Sequence, residues 1–177
     1  MNRLLISLLA LWLAACSGPA SNEVPLGYVS PASFGRSLTL TQQITVEAFG
    51  ETRGFEAVVA IDGDAVDLAA LAMGRRMIAV HLDAAGLREQ RDPQLPEAVS
   101  GARILRDLQL AFWPQVALSA ALPAGWLVQD SAGRREVLLN GAVILTIDYA
   151  AEPHWRGRTI LTHHRFGYRL TIDSDEA

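Results

Sequence analysis

The sequence predicts a mainly β fold with a helix, of the α+β class, in which a curved antiparallel sheet curls around a helix packed on it. From Arg36 onward, short stretches of alternating apolar and polar residues recur, and turn dipeptides separate several of them. One stretch between two prolines has helical periodicity instead. Half of the 177 residues are hydrophobic and only one is cysteine, so the chain can bury a core but cannot form an internal disulfide. We expect a single globular domain over residues 36–177.

The first half of this domain is expected to be a meander of strands. A strand with Phe55 on one face ends at Asp62-Gly63, a dipeptide that favours two-residue hairpin turns. Gly74 and Gly86 are predicted turn residues. The predicted strands of this half are residues 38–40, 44–46, 55–61, 66–72 and 77–83.

A second meander is expected to begin with a strand at Trp126. Asn140-Gly141 is the strongest turn signal in the chain, because both residues readily take the positive φ angles of a type I′ turn. The loop around Trp155 contains a proline and two arginines, and we expect it to leave the indole exposed. Further strands are predicted over residues 136–139, 142–149, 158–166 and 168–172.

Residues 97–113 are predicted to form a helix of about four turns, because prolines bound the segment and its apolar residues follow the helical period. The face opposite the apolar one carries Arg103, Arg106 and Asp107. Leu110 falls among the arginines and is expected to be partly exposed. The apolar face comprises Ala98, Ala102, Leu105, Leu108 and Phe112.

Residues 1–15 have the pattern of a secretory signal peptide: Arg3, an apolar run over residues 4–13, then small residues. The run is too short to cross a bilayer, which takes about 20 apolar residues. The segment ending in Cys16 (LAAC) resembles a bacterial lipobox, in which the cysteine is acylated and becomes the first residue of the mature protein. Ser17 rather than aspartate follows it, which in lipoproteins implies the outer membrane of a Gram-negative cell. The alternative is an ordinary signal peptide whose cleavage leaves Cys16 as a free thiol.

Acylation would make Cys16 a durable anchor. Each buried methylene of an acyl chain such as palmitate adds roughly 0.8 kcal/mol, so a multiply acylated cysteine stays in the membrane where one chain does not. Residues 16–35, rich in serine, proline, glycine and alanine, are predicted to be a flexible tether from which the folded domain can stand off the membrane.

Composition and motifs exclude several classes of function. The 15 basic residues are all arginines, scattered among 19 acidic residues at a net charge of −4, so the chain lacks the clustered cationic surface that nucleic-acid binding needs. No GxSxG, HExxH, P-loop or GxGxxG motif occurs. His163 and His164 are adjacent on a predicted strand and should point to opposite faces. The segment 62–64 lacks the remaining ligands of a calcium loop. We predict no catalytic residue, metal site, cofactor or enzymatic activity.

The order of lipobox, meander, helix and second meander resembles the LolB-like outer-membrane lipoproteins, more specifically the uncharacterised family DUF3261. Three segments carry the resemblance: residues 104–114 (ILRDLQLAFWP), 135–147 and 167–172 (GYRLTI). It implies a LolA/LolB-like incomplete β-barrel whose concave face is lidded by one or more helices and holds acyl chains. Such a cavity has no catalytic residues.

The resemblance also implies a membrane contact. In the LolB receptor, a loop between two strands exposes a leucine followed by glycine, and the matching loop here is residues 71–76, with Met73 in the position of the leucine. A methionine is apolar and flexible enough to insert. Arg75 and Arg76 could meet anionic headgroups, at about 1 kcal/mol each. The alternative is an ordinary hairpin tip with one exposed methionine.

Several strands are apolar on both faces, which indicates either a second face covered by helix and loops or an apolar cavity. Trp113 and Trp126 suit either the cavity rim or a packed core, and the core is the favoured position for both. The candidate cavity residues are Phe55, Leu105, Leu108, Phe112, Trp113 and Trp126.

The expected function is that of an outer-membrane lipoprotein, facing the periplasm, that binds or transfers lipids or lipoproteins. Its expected partners are a lipid or acylated cargo, the outer membrane through acylated Cys16, and a periplasmic LolA-like carrier. Some members of the family that this chain resembles occur beside genes for aryl polyene lipids. This association links the expected cargo to the export of aryl polyene lipids. One alternative is a non-catalytic structural or assembly lipoprotein that acts through its surface. Another is a periplasmic hydrolase, which would need a histidine and a carboxylate converging in a cleft.

Overall fold

The computed structural model describes residues 23–96 and 99–177, so the predicted signal peptide and Cys16 lie outside the described residues. The described part forms ten strands, two α-helices and a 3₁₀ turn at Pro31–Phe34. The first strands are β1 (Leu38–Ala48), β2 (Glu51–Ile61), β3 (Val66–Ala72), β4 (Arg75–Asp83) and β5 (Gly86–Arg91). After the helices α1 (Gly101–Phe112) and α2 (Gln115–Ala121) come β6 (Trp126–Ser131), β7 (Arg134–Leu139), β8 (Ala142–Tyr149), β9 (Gly157–His163) and β10 (Tyr168–Glu176).

All ten strands belong to one antiparallel sheet in the order β5-β4-β3-β2-β1-β10-β9-β8-β7-β6. Each half of the chain forms a five-stranded meander, and the two meanders join where β1 pairs with β10, from Leu40↔Glu176 to Ala48↔Tyr168. The sheet is not closed, because β5 and β6 form its two edges. The predicted α+β class, with an unclosed antiparallel sheet and helices, is confirmed.

The sheet curves around helix α1. At its first residue, Gly101 donates its backbone N–H to Glu89 of β5 (2.6 Å), and at its last turn the Leu110 carbonyl accepts from Arg135 of β7 (2.7 Å). Strands β5 and β7 are eight positions apart in the sheet, about 38 Å if it were flat, whereas a 12-residue helix is about 18 Å long. Only a sheet that bends around the helix allows both contacts. Helix α1 therefore lies on the concave face.

Four turns lie together at one end of the sheet, which we call the tip end; they are residues 49–50, 73–74, 140–141 and 164–167. The other turns, residues 62–65, 84–85, 132–133 and 150–156, lie at the opposite end. At the tip end, Asn140-Gly141 has φ values of 50° and 83°, as predicted for a type I′ turn.

Residues 23–34, which we call the strap, lie along helix α1. The side-chain amide of Gln109 bonds both the N–H (3.3 Å) and the carbonyl (2.8 Å) of Val29, and the Trp113 indole donates to the Ser30 carbonyl (3.2 Å). Val24 and Leu26 are buried. The predicted tether extended to residue 35, but its described part packs into the domain because these apolar residues complete the core above the helix.

Several elements differ from their predictions. The predicted strands 38–40 and 44–46 are one continuous strand, β1, and Asp62-Gly63 lies in a four-residue turn in which the Asp62 carboxylate accepts from two backbone N–H groups (2.8 and 2.7 Å). Helix α1 begins at Gly101 rather than residue 97, because the Ser100 side chain caps it by accepting from the Arg103 N–H (3.3 Å). Strand β5 and helix α2 lie outside the predicted elements.

Two predicted exposures are wrong. Leu110 is fully buried, because the strap and Arg135 enclose the part of helix α1 that the periodicity assigned to solvent. Trp155 is half-buried, with its ring 5.4 Å from that of Phe34 and the Arg36 guanidinium 5.2 Å above it. Within residues 23–96 and 99–177, no helix is long and apolar enough to span a membrane.

Candidate functional site

The concave face is covered by helix α1 near its middle and is partly open toward the tip end. Leu40 and Val59 of the neighbouring strands β1 and β2 are fully buried, whereas residues further along the same face are only half-buried. Because side chains alternate between the faces of a strand, these half-buried residues point in the same direction as Leu40 and Val59. They form an apolar trough of Ile44, Val46, Phe55 and Leu170.

Among the predicted cavity residues, Phe55 lies in this trough. Trp126 is half-buried at the start of β6. The other four, Leu105, Leu108, Phe112 and Trp113, are buried in the hydrophobic core between helix and sheet. These four residues therefore pack together in the core. Their role in holding a cargo stays a prediction.

A polar cluster borders the trough where helix α1 faces β10; it consists of Glu23, Arg103, Arg106, Asp107 and Tyr168. Glu23 accepts from Arg103 (2.7 Å) and pairs with Arg106 (3.2 Å), and the hydrogen bond from Arg103 holds the pKa of Glu23 below its ordinary value. Tyr168 donates to the Asp107 carboxyl group (2.8 Å). Burial raises the pKa of Asp107 to about 7, despite the hydrogen bond from Tyr168 and the nearby arginines.

The periodicity of helix α1 placed Arg103, Arg106 and Asp107 of this cluster on one face but assigned that face to solvent. It could not show the hydrogen-bonding partners of these side chains. Tyr168 is 61 positions away from Asp107 in the chain, and Glu23 lies in the segment predicted to be a tether. Tyr168 lies on the same face of β10 as Leu170, so the trough ends at hydrogen-bonding groups.

The predicted membrane-contact residues lie at the tip end. Met73 and Gly74 form a two-residue turn between β3 and β4 with φ values of 51° and 73°, and the Met73 side chain is fully exposed. Arg75 and Arg76 follow it and are exposed; Arg75 is bonded to Asp92, and Arg76 lies 3.4 Å from Gln90. Their membrane role stays a prediction.

Phe49 is not among the predicted site residues, yet it is 92% exposed at the neighbouring tip between β1 and β2. The signal was present as a Phe-Gly dipeptide between two alternating segments, but phenylalanine is not a usual turn residue.

A pocket of about 370 Å³ lies on the outer face of β2 to β5. Its floor is formed by small residues such as Ala60, Ala69 and Ala79, and His81 lies at its polar side. The imidazole is held between Asp67 (2.7 Å) and Asp83 (3.1 Å), and these hydrogen bonds raise its pKa. Helix α1 lies on the other face of the sheet, so this pocket is separate from the trough.

Comparison with protein families decides the identity of the chain. A family model for proteins of unknown function, DUF3261, matches residues 39–176. The chain belongs to DUF3261. The predicted family is thus confirmed, and no curated protein sequence matches the chain.

Solved structures with some similarity to this DUF3261 protein are distant in sequence. One is a DUF1329 family protein from Desulfovibrio piger, at 10% identity and a TM-score of 0.40, covering 84% of this chain and 92% of that chain. Another is a domain from Vibrio parahaemolyticus whose description assigns it provisionally to outer-membrane lipoprotein sorting, at 12% identity and a TM-score of 0.37, covering 80% and 85%.

The histidines of the DUF3261 chain do not converge on one cleft. His163 is buried and accepts from the Phe166 N–H (3.2 Å), while His164 is exposed and contacts Thr146 (3.2 Å) on the neighbouring strand β8. His154 pairs with Glu152 (2.7 Å), and Asp148 pairs with Arg134 (2.8 Å). Among the described residues, no group of three or more histidine, cysteine, aspartate and glutamate side chains is placed to hold a metal ion.

Proposed function

We propose that this DUF3261 protein is an outer-membrane lipoprotein, anchored through acylated Cys16 and facing the periplasm, that binds or transfers lipids or lipoproteins. The observation that carries the binding role is the apolar trough, a half-buried stretch of the concave face that ends at the hydrogen-bonding groups of Tyr168 and Asp107. An acyl chain laid on the trough would gain about 25 cal/mol per Å² of apolar surface removed from water. The adjacent polar cluster suits an ester or headgroup, since lipid sites combine apolar walls with a few polar groups.

We also propose a membrane contact, a delivering partner and a cargo for this protein. Met73, with Arg75 and Arg76, would contact the membrane, and a periplasmic LolA-like carrier would deliver acylated cargo. The proposed cargo includes aryl polyene lipids, in line with the genes found beside some family members. A deeper site between α1 and the sheet, lined by Leu105, Leu108, Phe112 and Trp113, would require the helix to move, because these residues are packed in the core.

A pair of variants on strand β2 tests the trough. F55Q places an amide in it, and V58Q places the same amide on the outer face of the same strand, where Val58 is already 43% exposed. The soluble form that starts after Cys16 is purified from its native envelope and examined by native mass spectrometry, lipid extraction and uptake of a fluorescent fatty acid. We expect a bound acyl species in the parent protein and in V58Q, and loss of it in F55Q. Equal binding by F55Q and V58Q would contradict the trough assignment.

The packed interior favours a second candidate function, a non-catalytic assembly lipoprotein that acts through its surface. In that case the parent protein carries no lipid from the envelope and takes up no fluorescent fatty acid, and F55Q and V58Q behave alike. The same experiment therefore separates the two functions.

The lipid anchor is tested independently of cargo. Replacing Cys16 with serine removes the acylated atom, and we expect the variant to leave the membrane fraction of the cell. Unchanged membrane fractionation of C16S would contradict the anchor.

A further inference from the structure

We propose that Phe49 is a second membrane contact beside Met73, and that the tip end of the sheet rests on the bilayer that holds acylated Cys16. This inference rests on the lipid anchor proposed above and extends the membrane surface to a residue that the resemblance does not indicate. The occupant is a phospholipid bilayer surface. Three features of the described residues support it.

The first feature is that Phe49 covers none of the core. Its side chain is 92% exposed, and it has a φ of 54°, in the left-handed region that side chains other than those of asparagine, aspartate and glycine seldom take. A large aromatic ring in this position contributes neither to the turn nor to packing. An exposed aromatic side chain is typical of a surface that meets another apolar phase.

The second feature is that Phe49 and Met73 are presented in the same way. Each is the first residue of a two-residue turn completed by glycine, with φ values of 79° at Gly50 and 73° at Gly74. The two turns are at the tip end, two strand intervals or about 10 Å apart across the sheet; the β1–β2 turn projects about four residues, or about 13 Å, further along the strands, because β2 pairs with β3 only from Glu56 onward. The exposed Arg76 and Arg165 lie close to the tips and the neighbouring turn, where they can reach lipid headgroups, whereas Arg53 at the same tip is paired with Glu51 (2.7 Å).

The third feature is the place where the strap begins. Glu23 bonds Arg103 (2.7 Å), whose guanidinium lies 4.8 Å above the ring of Phe166, in the turn that joins β9 and β10 at the tip end. That turn is next to Phe49, because Ala48 pairs with Tyr168.

The length of chain before the strap fixes which end of the sheet can face the bilayer. Six residues lie between Cys16 and Glu23 in the sequence, and the seven Cα–Cα steps from one to the other reach at most about 25 Å. Strand β1 alone is 11 residues long, or about 36 Å, so the opposite end of the sheet is beyond that reach. An anchor at Cys16 therefore brings the tip end to the bilayer.

Tryptophan reporters in the full acylated protein test this orientation. F49W and M73W place the indole at the two tips, and D64W places it in an exposed turn at the opposite end. All three replaced side chains are exposed, so the fold should tolerate them. Each protein is inserted into phosphatidylethanolamine and phosphatidylglycerol vesicles with or without brominated acyl chains, and the emission of the unsubstituted protein is subtracted.

We expect F49W and M73W to lose emission in the brominated vesicles and to shift to shorter wavelength, and D64W to do neither. If the proteins float with the vesicles but F49W keeps its emission, Phe49 does not contact the membrane, whatever the result for M73W. Quenching of D64W equal to that of F49W would overturn the orientation. If the acylated protein does not float at all, the anchor itself fails and the orientation fails with it.

Discussion

At the scale of single residues, Arg135 is the clearest example of a charge that holds two elements together. Its guanidinium is 2% exposed, donates to the carbonyls of Leu110 (2.7 Å) and Trp113 (2.8 Å), and pairs with Asp130 (2.7 Å). The last carbonyls of a helix have no partner within it, so Arg135 supplies bonds that helix α1 cannot make for itself. It thereby ties the helix to β7.

We expect R135M to lower the free energy of unfolding by about 2 to 4 kcal/mol, because it leaves the buried carbonyls of Leu110 and Trp113 without their partner. The neighbouring Arg134 is the matched control: it pairs with Glu136 and Asp148 on the surface and is 43% exposed, so R134M should cost at most about 1 kcal/mol. Urea unfolding of both variants measures the difference. Similar losses for the two would show that Arg135 does not hold the helix.

The buried Asp107 and His163 should give the protein two opposing pH dependences. Burial raises the pKa of Asp107 to about 7, so the folded state binds more protons than the unfolded state between about pH 4 and 7, and this group lowers stability as pH rises. Burial, with help from the nearby Arg103, lowers the pKa of His163 to about 4. The unfolded state then binds more protons between about pH 4 and 6.5, and His163 raises stability as pH rises.

Single variants should separate these two pH dependences of the unfolding free energy. Relative to the parent protein, D107N keeps an acceptor for Tyr168 and should become more stable as pH rises from about 4 to 7. H163N keeps an acceptor for the Phe166 N–H and should gain relative stability as pH falls from about 6.5 to 4. Unfolding free energies at pH 4.5, 6 and 8 measure both trends. Parallel curves for a variant and its parent would show that its group titrates as it does in the unfolded chain.

At the scale of elements, Gln109 holds the middle of the strap to helix α1, while Trp113 bonds Ser30 and two arginines pair with Glu23. Gln109 is buried and mimics a paired strand by bonding both backbone groups of Val29. We expect Q109L to release the strap while the sheet stays folded, so that hydrogen exchange and proteolysis increase within residues 24–30. Q90L, on the exposed edge strand β5, should change neither. Unchanged protection of residues 24–30 in Q109L would show that the strap does not depend on the Gln109 hydrogen bonds.

The elements that were predicted correctly are those whose own residues have strong backbone preferences. The Asn140-Gly141 turn and the end of helix α1 before Pro114 follow from backbone preferences of those residues. Strand β5 (GLREQR) was missed because it is an edge strand, whose exposed side chains need no alternating pattern. Helix α2 was missed because Pro114, which ends one helix, also precedes the next as its N-cap residue.

The features of the candidate site that could not be predicted depend on contacts between distant parts of the chain. Nothing near Leu110 in the sequence shows that the strap and Arg135 enclose it. The Asp107–Tyr168 hydrogen bond likewise joins residues far apart in the chain. Met73 was located by resemblance to a family, whereas Phe49 became visible only when the sheet order placed both turns at the same end.

At the scale of the whole molecule, the two five-stranded meanders should unfold together. They share the β1–β10 pairing, and helix α1 contacts Glu89 in one meander and Arg135 in the other. Because the β1–β10 pairing is long and helix α1 contacts both meanders, neither meander has a complete core of its own. We call the β1–β10 pairing the shared seam. Small domains built in this way unfold in a single cooperative transition.

Matched core variants in the two halves test this cooperativity. Ile78 in β4 and Ile147 in β8 are both buried, and replacing either with alanine should cost about 2 to 5 kcal/mol. Far-UV circular dichroism reports both meanders, whereas the fluorescence of Trp113, Trp126 and Trp155 reports the second meander together with the end of helix α1 and the strap packed on it. If the molecule is one unit, I78A and I147A shift both signals to the same lower urea concentration. If I78A instead lowers the dichroism midpoint and leaves the fluorescence midpoint unchanged, the first meander unfolds by itself and the shared seam does not couple the halves.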